Sequence, residues 1–234
     1  MKDPLTTHEV NLTGTLNLLW AAKTNRVKGF VFASSSSVYG EAKTQRSGQS
    51  NKPKKETQPP APLSPYAVSK VGAEVYCRIF YKLYGLPTVS LRYFNVFGPR
   101  QDPHSQYAAV IPKFITALLA GHAPVIYGDG KQSRDFTYVE NVVRANLLAI
   151  QSLPAFGMAV NIGCGKSYNL LQLVEALAKI TGKKIAPAFD RPRPGDIRHS
   201  MADISRAKRL LGFKPAVEFA GGLATTVDFF SKSA

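Results

Sequence analysis

Tyr66-Ala67-Val68-Ser69-Lys70 carries a phenol and an ammonium four residues apart, a spacing that sets both on one face of a helix. A free tyrosine titrates near pH 10. A cation beside it favours the phenolate and brings the group toward the range useful for general acid–base catalysis. Tyr-x-x-x-Lys occurs three times in the chain, at Tyr39–Lys43, Tyr66–Lys70 and Tyr127–Lys131, so context has to choose. Tyr127–Lys131 encloses Gly128-Asp129-Gly130, a turn, and Tyr39–Lys43 opens a polar, Lys-rich stretch. Only Tyr66–Lys70 follows a helix start, Ser64-Pro65, with a capping hydroxyl and a proline for the first turn. A run of serines, Ser34 to Ser37, offers hydroxyls that could share a proton with Tyr66. By itself such a run is a turn or a helix cap.

The elements that must position these groups alternate between helix and strand, which predicts an α/β fold with parallel strands. Helix is expected over 8–22, with Val10, Leu12, Leu16, Leu19 and Trp20 as apolar positions. The apolar run Gly29 to Ala33 reads as a buried strand, which puts Ser34 to Gly40 in the loop at its C-terminal end, where open α/β sheets bind their ligands. A helix over 66–84 ends at Gly85, and Pro87 to Phe94 is the next strand. Further helices are expected near 108–120, 141–151, 170–181 (capped by Ser167 or Asn169), 204–211 (capped by Asp203) and 219–230. Further strands fall near 125–127, 159–162 and 185–189, with an extended stretch at 135–139. Residues 42–65, rich in Lys, Gln, Ser and Pro, read as an exposed loop.

The composition, 44% hydrophobic and 19% charged over 234 residues, is that of a soluble globular chain with room for one large domain or two small ones. No apolar run approaches a membrane span. Met1-Lys2-Asp3-Pro4 has no signal-peptide core, and Cys77 and Cys164 form neither a disulfide framework nor a metal spacing. A reduced, cytoplasmic setting is expected. The four histidines are scattered, and no metal site is assigned. The net charge of +15 admits nucleic acid, a membrane surface or an anionic substrate. The basic residues form no continuous stripe and carry no aromatic–basic motif, so neither nucleic acid nor membrane is expected as a partner. A phosphate-bearing substrate accounts for the cluster Arg191 to Arg209, and the cluster from Lys43 to Lys55 reads as a solvated loop.

Six segments in this order resemble the extended short-chain dehydrogenase/reductases, specifically the nucleotide-sugar epimerases of the NAD-dependent epimerase/dehydratase family. They are Asn11-Leu12-Thr13-Gly14-Thr15, Ser34 to Gly40, Tyr66 to Lys70, Arg92 to Arg100, Tyr127 to Phe136 and Arg193-Pro194-Gly195-Asp196. The resemblance implies a Rossmann-like parallel sheet with a smaller C-terminal α/β substrate domain. The cofactor part is expected over 1–98 and 137–163, the substrate part over 99–136 and 164–234. It implies Ser35, Tyr66 and Lys70 as the catalytic set, with Asn11, Ser34, Tyr66, Lys70 and Tyr93 against NAD. Ser35, Ser36, Asn95, Arg134, Arg193 and Asp196 would bind the UDP-sugar, the arginines through their forked donors on the diphosphate.

Ser36 and Ser37 follow Ser35 where dehydratases place acids and decarboxylating relatives a Glu. That favours epimerisation at C4 of a UDP-N-acetylhexosamine or of UDP-glucose/galactose, through a 4-keto sugar. The alternatives are a dehydratase or decarboxylase of the same family, or a silent nucleotide-sugar-binding chain. A homodimer through helices 8–22 and 66–84 is also implied.

The family opens with a strand, a Gly-x-x-Gly-x-x-Gly turn and a helix, which together bind the dinucleotide pyrophosphate. That glycine pattern does not occur in this sequence. In the family the counterpart of Asp3-Pro4-Leu5 lies roughly 80 residues into the domain. The expectation is therefore an N-terminally truncated member, incomplete in its first strands, that binds NAD poorly and is unstable or inactive alone.

Overall fold

The computed structural model describes residues 3–41, 52–103, 110–192 and 197–233. The chain enters through α1 (Pro4–His8), capped by the Asp3 carboxylate on Thr6 N–H with Pro4 in the first turn. It passes through a π-helical turn (Glu9–Thr13) into α2 (Gly14–Thr24). The helix expected over 8–22 is thus longer at both ends. Its π turn is bridged by the Thr15 hydroxyl, which donates to the Asn11 carbonyl at 2.6 Å.

β1 (Phe30–Ser35), β2 (Thr88–Tyr93) and β7 (Met158–Ile162) form a parallel sheet in the order β1-β2-β7. Alternation along the strands gives each face its own partners. Val89, Leu91, Val160 and Ile162 join one core cluster with α5 (Val139–Ile150) and α7 (Ser205–Leu211), through Val142, Ala145, Ala149, Ala207 and Leu211. Phe32 packs the other way, with Leu19 and Ala22 of α2 and Ala73, Cys77 and Phe80 of α3 (Pro65–Tyr84). The same α3-facing side carries four buried polar residues, Ser34, Ser90, Arg92 and Asn161. β1 runs two residues further than its apolar stretch, because Ser34 and Ser35 stay paired with Arg92 and Tyr93. A 3-10 turn (Ser36–Tyr39) follows directly.

The boundaries of α3 follow from local chemistry. The Ser64 hydroxyl accepts from Ala67 N–H at 3.1 Å, Pro65 fills the first turn, and Gly85 ends the helix in the left-handed region at φ 66°. Gly72 lets α3 approach the segment before it, since a Cβ there would lie 3.0 Å from a Leu12 methyl.

A second core cluster joins Phe97 of β3 (Val96–Phe97), Ile111, Phe114, Ile115 and Leu118 of α4 (Val110–Leu119), and Ile126 of β4 (Val125–Tyr127). It continues through Leu173 and Leu177 of α6 (Leu170–Thr181) and Leu223 and Val227 of α8 (Phe219–Ser233). The cap of α6 is Asn169, in a reciprocal capping box with Gln172. β9 is shorter than expected, at Ala188–Asp190, and pairs with β4. The stretch expected as extended over 135–139 contains β6 (Thr137–Tyr138), with α5 starting at its last residue, Val139, and it is preceded by β5 (Ser133–Arg134). β5 lies between β10 (His199–Ser200) and β8 (Tyr168–Asn169), and β3 pairs with β6. α7 starts at Ser205, where the Asp203 carboxylate accepts from Ser205 N–H at 2.8 Å.

Asp135 ties these parts together. It is wholly buried and accepts from the amides of Cys164 (2.8 Å), Gly165 (2.9 Å) and Ala202 (3.1 Å). The turn after β7 and the strand end after β10 therefore close on one carboxylate beside Arg134. Gly163 is required for that closure, because a Cβ would sit 2.7 Å from an Asp135 oxygen and from the Ala202 methyl.

Candidate active site

The C-terminal ends of β1 and β2, the first turn of α3 and the short strand β5 converge on a cavity of about 460 Å³. Of the residues singled out in the sequence, Ser34, Ser35, Ser36, Tyr66, Tyr93, Asn95 and Arg134 line it. Each arrives for a local reason. The serines lie where β1 gives way to the 3-10 turn, and the Ser35 hydroxyl accepts from Ser37 N–H at 3.1 Å, which caps that turn. Tyr66 stands on the first turn of α3 and is 38% exposed, so its phenol is open to the cavity. Asn95 follows β2, and its carbonyl accepts from Thr137 N–H at 3.1 Å.

Arg134 is brought in by β5, and its guanidinium bonds the backbone of its own strand and of the residue before β10. Its Nη1 donates to the Ser133 carbonyl at 2.9 Å and to the Arg198 carbonyl at 3.4 Å. Arg198 in turn is bidentate on Asp129, at 3.1 and 2.7 Å. The Tyr93 hydroxyl donates to Asn146 Oδ1 at 2.9 Å, and burial raises its pKa.

Lys70 and Asn11 stand beside the cavity. The Lys70 ammonium lies 5.5 Å from the Tyr66 ring centroid and 5.0 Å from that of Phe32, and donates to the Ala33 carbonyl at 2.9 Å. Burial lowers its pKa. The helical spacing thus delivers the cation to the tyrosine, over its ring. Asn11 Nδ2 donates to the Ser69 hydroxyl at 3.3 Å, which donates to the Tyr66 carbonyl at 2.8 Å, so the π-helical turn braces the first turn of α3. The Ser34 hydroxyl is turned away to the Glu74 carboxylate, at 2.5 Å. Arg193 and Asp196 lie outside the described residues.

Ser37, Val96, Ile197 and Ser200 also line the cavity, and sequence reasoning had not singled them out as contacts. For Ser200 the signal is absent from the sequence, because it reaches the site only through its pairing with Arg134. The cavity is lined by a phenol, a hydroxyl cluster, an arginine and a carboxamide, with the Lys70 ammonium beside the phenol. Groups able to move a proton thus lie in one cavity with groups able to bind an anion.

A family model described as the NAD dependent epimerase/dehydratase family matches residues 1–163. The chain is 40% identical to a UDP-glucose 4-epimerase of Mycolicibacterium smegmatis over 230 residues, 97% of this chain and 70% of that one. Among solved structures it is similar to the UDP-N-acetylglucosamine 4-epimerase of Methanobrevibacter ruminantium M1 in complex with UDP-N-acetylmuramic acid, with TM-score 0.92, 44% identity, and coverage of 99% of this chain and 72% of that one. It is equally similar in fold to the UDP-glucose 4-epimerase of Thermotoga maritima with UDP-glucose, with TM-score 0.92, 39% identity, and coverage of 99% and 72%.

Proposed function

The chain belongs to the NAD dependent epimerase/dehydratase family, and from that premise we propose that it inverts C4 of a UDP-sugar, a UDP-N-acetylhexosamine or UDP-glucose/galactose. The observation that carries this reading is the convergence of Ser35, Tyr66, Asn95 and Arg134 on one cavity.

In this reading Tyr66 takes the C4 hydroxyl proton and later returns it, and Ser35 holds that oxygen from the other side. Ser36 offers a second hydroxyl to the sugar. Arg134 and Asn95 bind the diphosphate, with Arg193 and Asp196 assigned to the same nucleotide. Anchoring through the nucleotide leaves the sugar ring free to turn over between proton removal and proton return. The donor set fits the nicotinamide half of NAD: an ammonium held between two aromatic rings by a single described carbonyl contact has donors to give to ribose hydroxyls. Lys70 and Tyr66, with Asn11 and Tyr93 alongside, would hold it, while the Ser34 hydroxyl, expected in this set, is given to Glu74; the chemistry NAD supplies when bound is reversible hydride acceptance from C4. Plain epimerisation is favoured over elimination or decarboxylation because Ser36 and Ser37, the side chains next to Ser35, carry no acid or base.

The same proposal divides the chain into a cofactor part (1–98 and 137–163) and a substrate part (99–136 and 164–234), with α7 of the second packed on β7 of the first. It also makes the protein a homodimer through helices 8–22 and 66–84, in a cytoplasmic setting in keeping with the unbridged Cys77 and Cys164. Among the described residues no helix is long and apolar enough to cross a membrane.

The test is to count NAD released per chain on denaturation, then to incubate the protein with UDP-N-acetylglucosamine or UDP-glucose and added NAD and resolve the C4 epimers by anion-exchange chromatography. Formation of the epimer, lost in Tyr66→Phe, supports the reading and overturns the expectation, drawn from the missing glycine pattern, of a chain that binds NAD poorly and is inactive alone. A chain that carries NAD and binds the UDP-sugars without interconverting them overturns the reading in favour of a silent binder.

A further inference from the structure

One row of the central sheet is polar where a core would be apolar. Ser34 of β1 is the register partner of Arg92 of β2, and Arg92 is that of Asn161 of β7. All three are buried, at 3, 5 and 0% exposure, and the row lies one residue short of Ser35 and Tyr93. Glu74 of α3 closes it from above. Its Oε1 accepts from the Ser34 hydroxyl (2.5 Å) and from Arg92 Nε (2.9 Å), and its Oε2 accepts from Arg92 Nη2 (2.7 Å). Arg92 Nη1 donates to the Tyr39 hydroxyl (2.9 Å), which donates to Asn161 Oδ1 (2.7 Å). Asn161 Nδ2 then donates at 2.8 Å to the carbonyl of Lys54, which is buried and bridged to Ala202 rather than part of a solvated loop as its sequence suggests.

The stability of the fold gives no sufficient reason for this arrangement. Desolvating an ion pair costs about as much as its attraction returns, and an apolar pair of similar volume often serves as well. What the row fixes is geometry. Ser34 and Tyr39 are the two ends of the turn that carries Ser35, Ser36 and Ser37, and both are hooked to the one Glu74–Arg92 pair. Glu74 stands one helical turn beyond Lys70 and two beyond Tyr66. Successive residues of β1 therefore take successive turns of α3: the Ala33 carbonyl takes Lys70 and the Ser34 hydroxyl takes Glu74. Arg92 immediately precedes Tyr93 and leads to Asn95.

We propose that Glu74 and Arg92 are positioning residues, which lock the serine turn, the Tyr66–Lys70 face of α3 and the Tyr93–Asn95 end of β2 into one register. The inference rests on the reading of Ser35, Tyr66 and Lys70 as the reacting groups. Displacements of about 1 Å at such groups cost on the order of 10²-fold in rate. A buried charge pair with defined donors and acceptors holds that tolerance where an apolar contact would slide.

The test has two arms, on the whole chain. The first is amide hydrogen exchange in Ser34→Ala, which removes one hook and leaves the ion pair, and in Glu74→Gln. The amides of Ser37 and Gly40, bonded within the turn, are expected to exchange at least about tenfold faster, with those of Val174 and Leu177 in α6 unchanged. An unchanged turn, or acceleration of α6 in step with it, overturns the proposal. The second is turnover. Glu74→Gln is expected to lower kcat on the order of 10²-fold with the KM for UDP-sugar within about twofold. The apolar pair Glu74→Met/Arg92→Met is expected to recover Tm without recovering kcat, and recovery of both overturns the proposal. If the unsubstituted chain carries NAD and binds UDP-sugar without epimerising it, the functional reading fails, and the exchange arm still decides whether this row holds the turn.

Discussion

Tyr66 owes its candidate role to a neighbour one helical turn away and to a hydroxyl turn from another strand. Ser64-Pro65 sets the helix and the four-residue spacing sets Lys70 against the ring, and both were legible in the sequence. Tyr66→Phe keeps the ring and removes the proton, so kcat for epimerisation is expected to fall about 10²- to 10⁴-fold. The Kd for UDP-sugar, measured by calorimetry, should stay within about twofold. The role of Asp135 was not legible, because its partners Cys164, Gly165 and Ala202 are distant in sequence and reach it through backbone amides that no side-chain pattern marks. Burial pushes its carboxyl up from 3.8 to about 6, with those three amides pulling the other way. Between these values the folded chain binds more protons than the unfolded one, so this group's contribution is fully present below pH 3.8 and is lost as pH rises through 6. Urea titrations at pH 4, 5, 6 and 7 should show wild-type stability falling relative to Asp135→Asn by roughly 2 kcal/mol across that window. A pH-independent difference between the two would place the Asp135 pKa at its ordinary value.

At the scale of elements, what could be read was whatever local chemistry determines. α3 ends where Ser64 and Gly85 say it must, and α6 runs from the Asn169 capping box to Gly182. The two-residue strands β3, β5, β8 and β10 could not be read, since two residues carry no period and exist as strands only through partners far along the chain. β1 was read two residues short for a related reason. Ser34 and Ser35 look like a loop by type, but pairing with Arg92 and Tyr93 keeps them extended. The site hangs on such boundaries. Ser64→Ala removes the acceptor for Ala67 N–H on the turn that carries Tyr66 and should cost about 1 kcal/mol in chemical denaturation. If Tyr66 works from that turn, kcat should drop as well, while Asn169→Ala, at the distant α6 cap, costs similar stability and leaves kcat as it was.

At the scale of the molecule, the apolar surface is unevenly distributed. On α3 the residues Val68, Val75, Ile79 and Leu83 are all exposed, with Val68 and Leu83 at 53 and 71%. Their spacings of seven, four and four place them on one helical face. Leu5, Val10, Leu18 and Trp20 on the neighbouring α1–α2 segment are exposed as well, and α2 packs directly on α3. Two adjacent helices with outward apolar stripes are self-complementary about a twofold axis, and patches of this kind on soluble chains mark interaction surfaces. A four-helix contact between two copies would bury both stripes, so the chain is expected to sediment as a dimer. Leu83→Glu with Leu18→Glu, neither of which is placed at the cavity, should shift it to monomer by burying like charges across the axis. Sedimentation-equilibrium runs on both forms decide it. An unsubstituted chain that stays monomeric at tens of micromolar removes the dimer from the proposal, and a charged variant that stays dimeric moves the interface to another face.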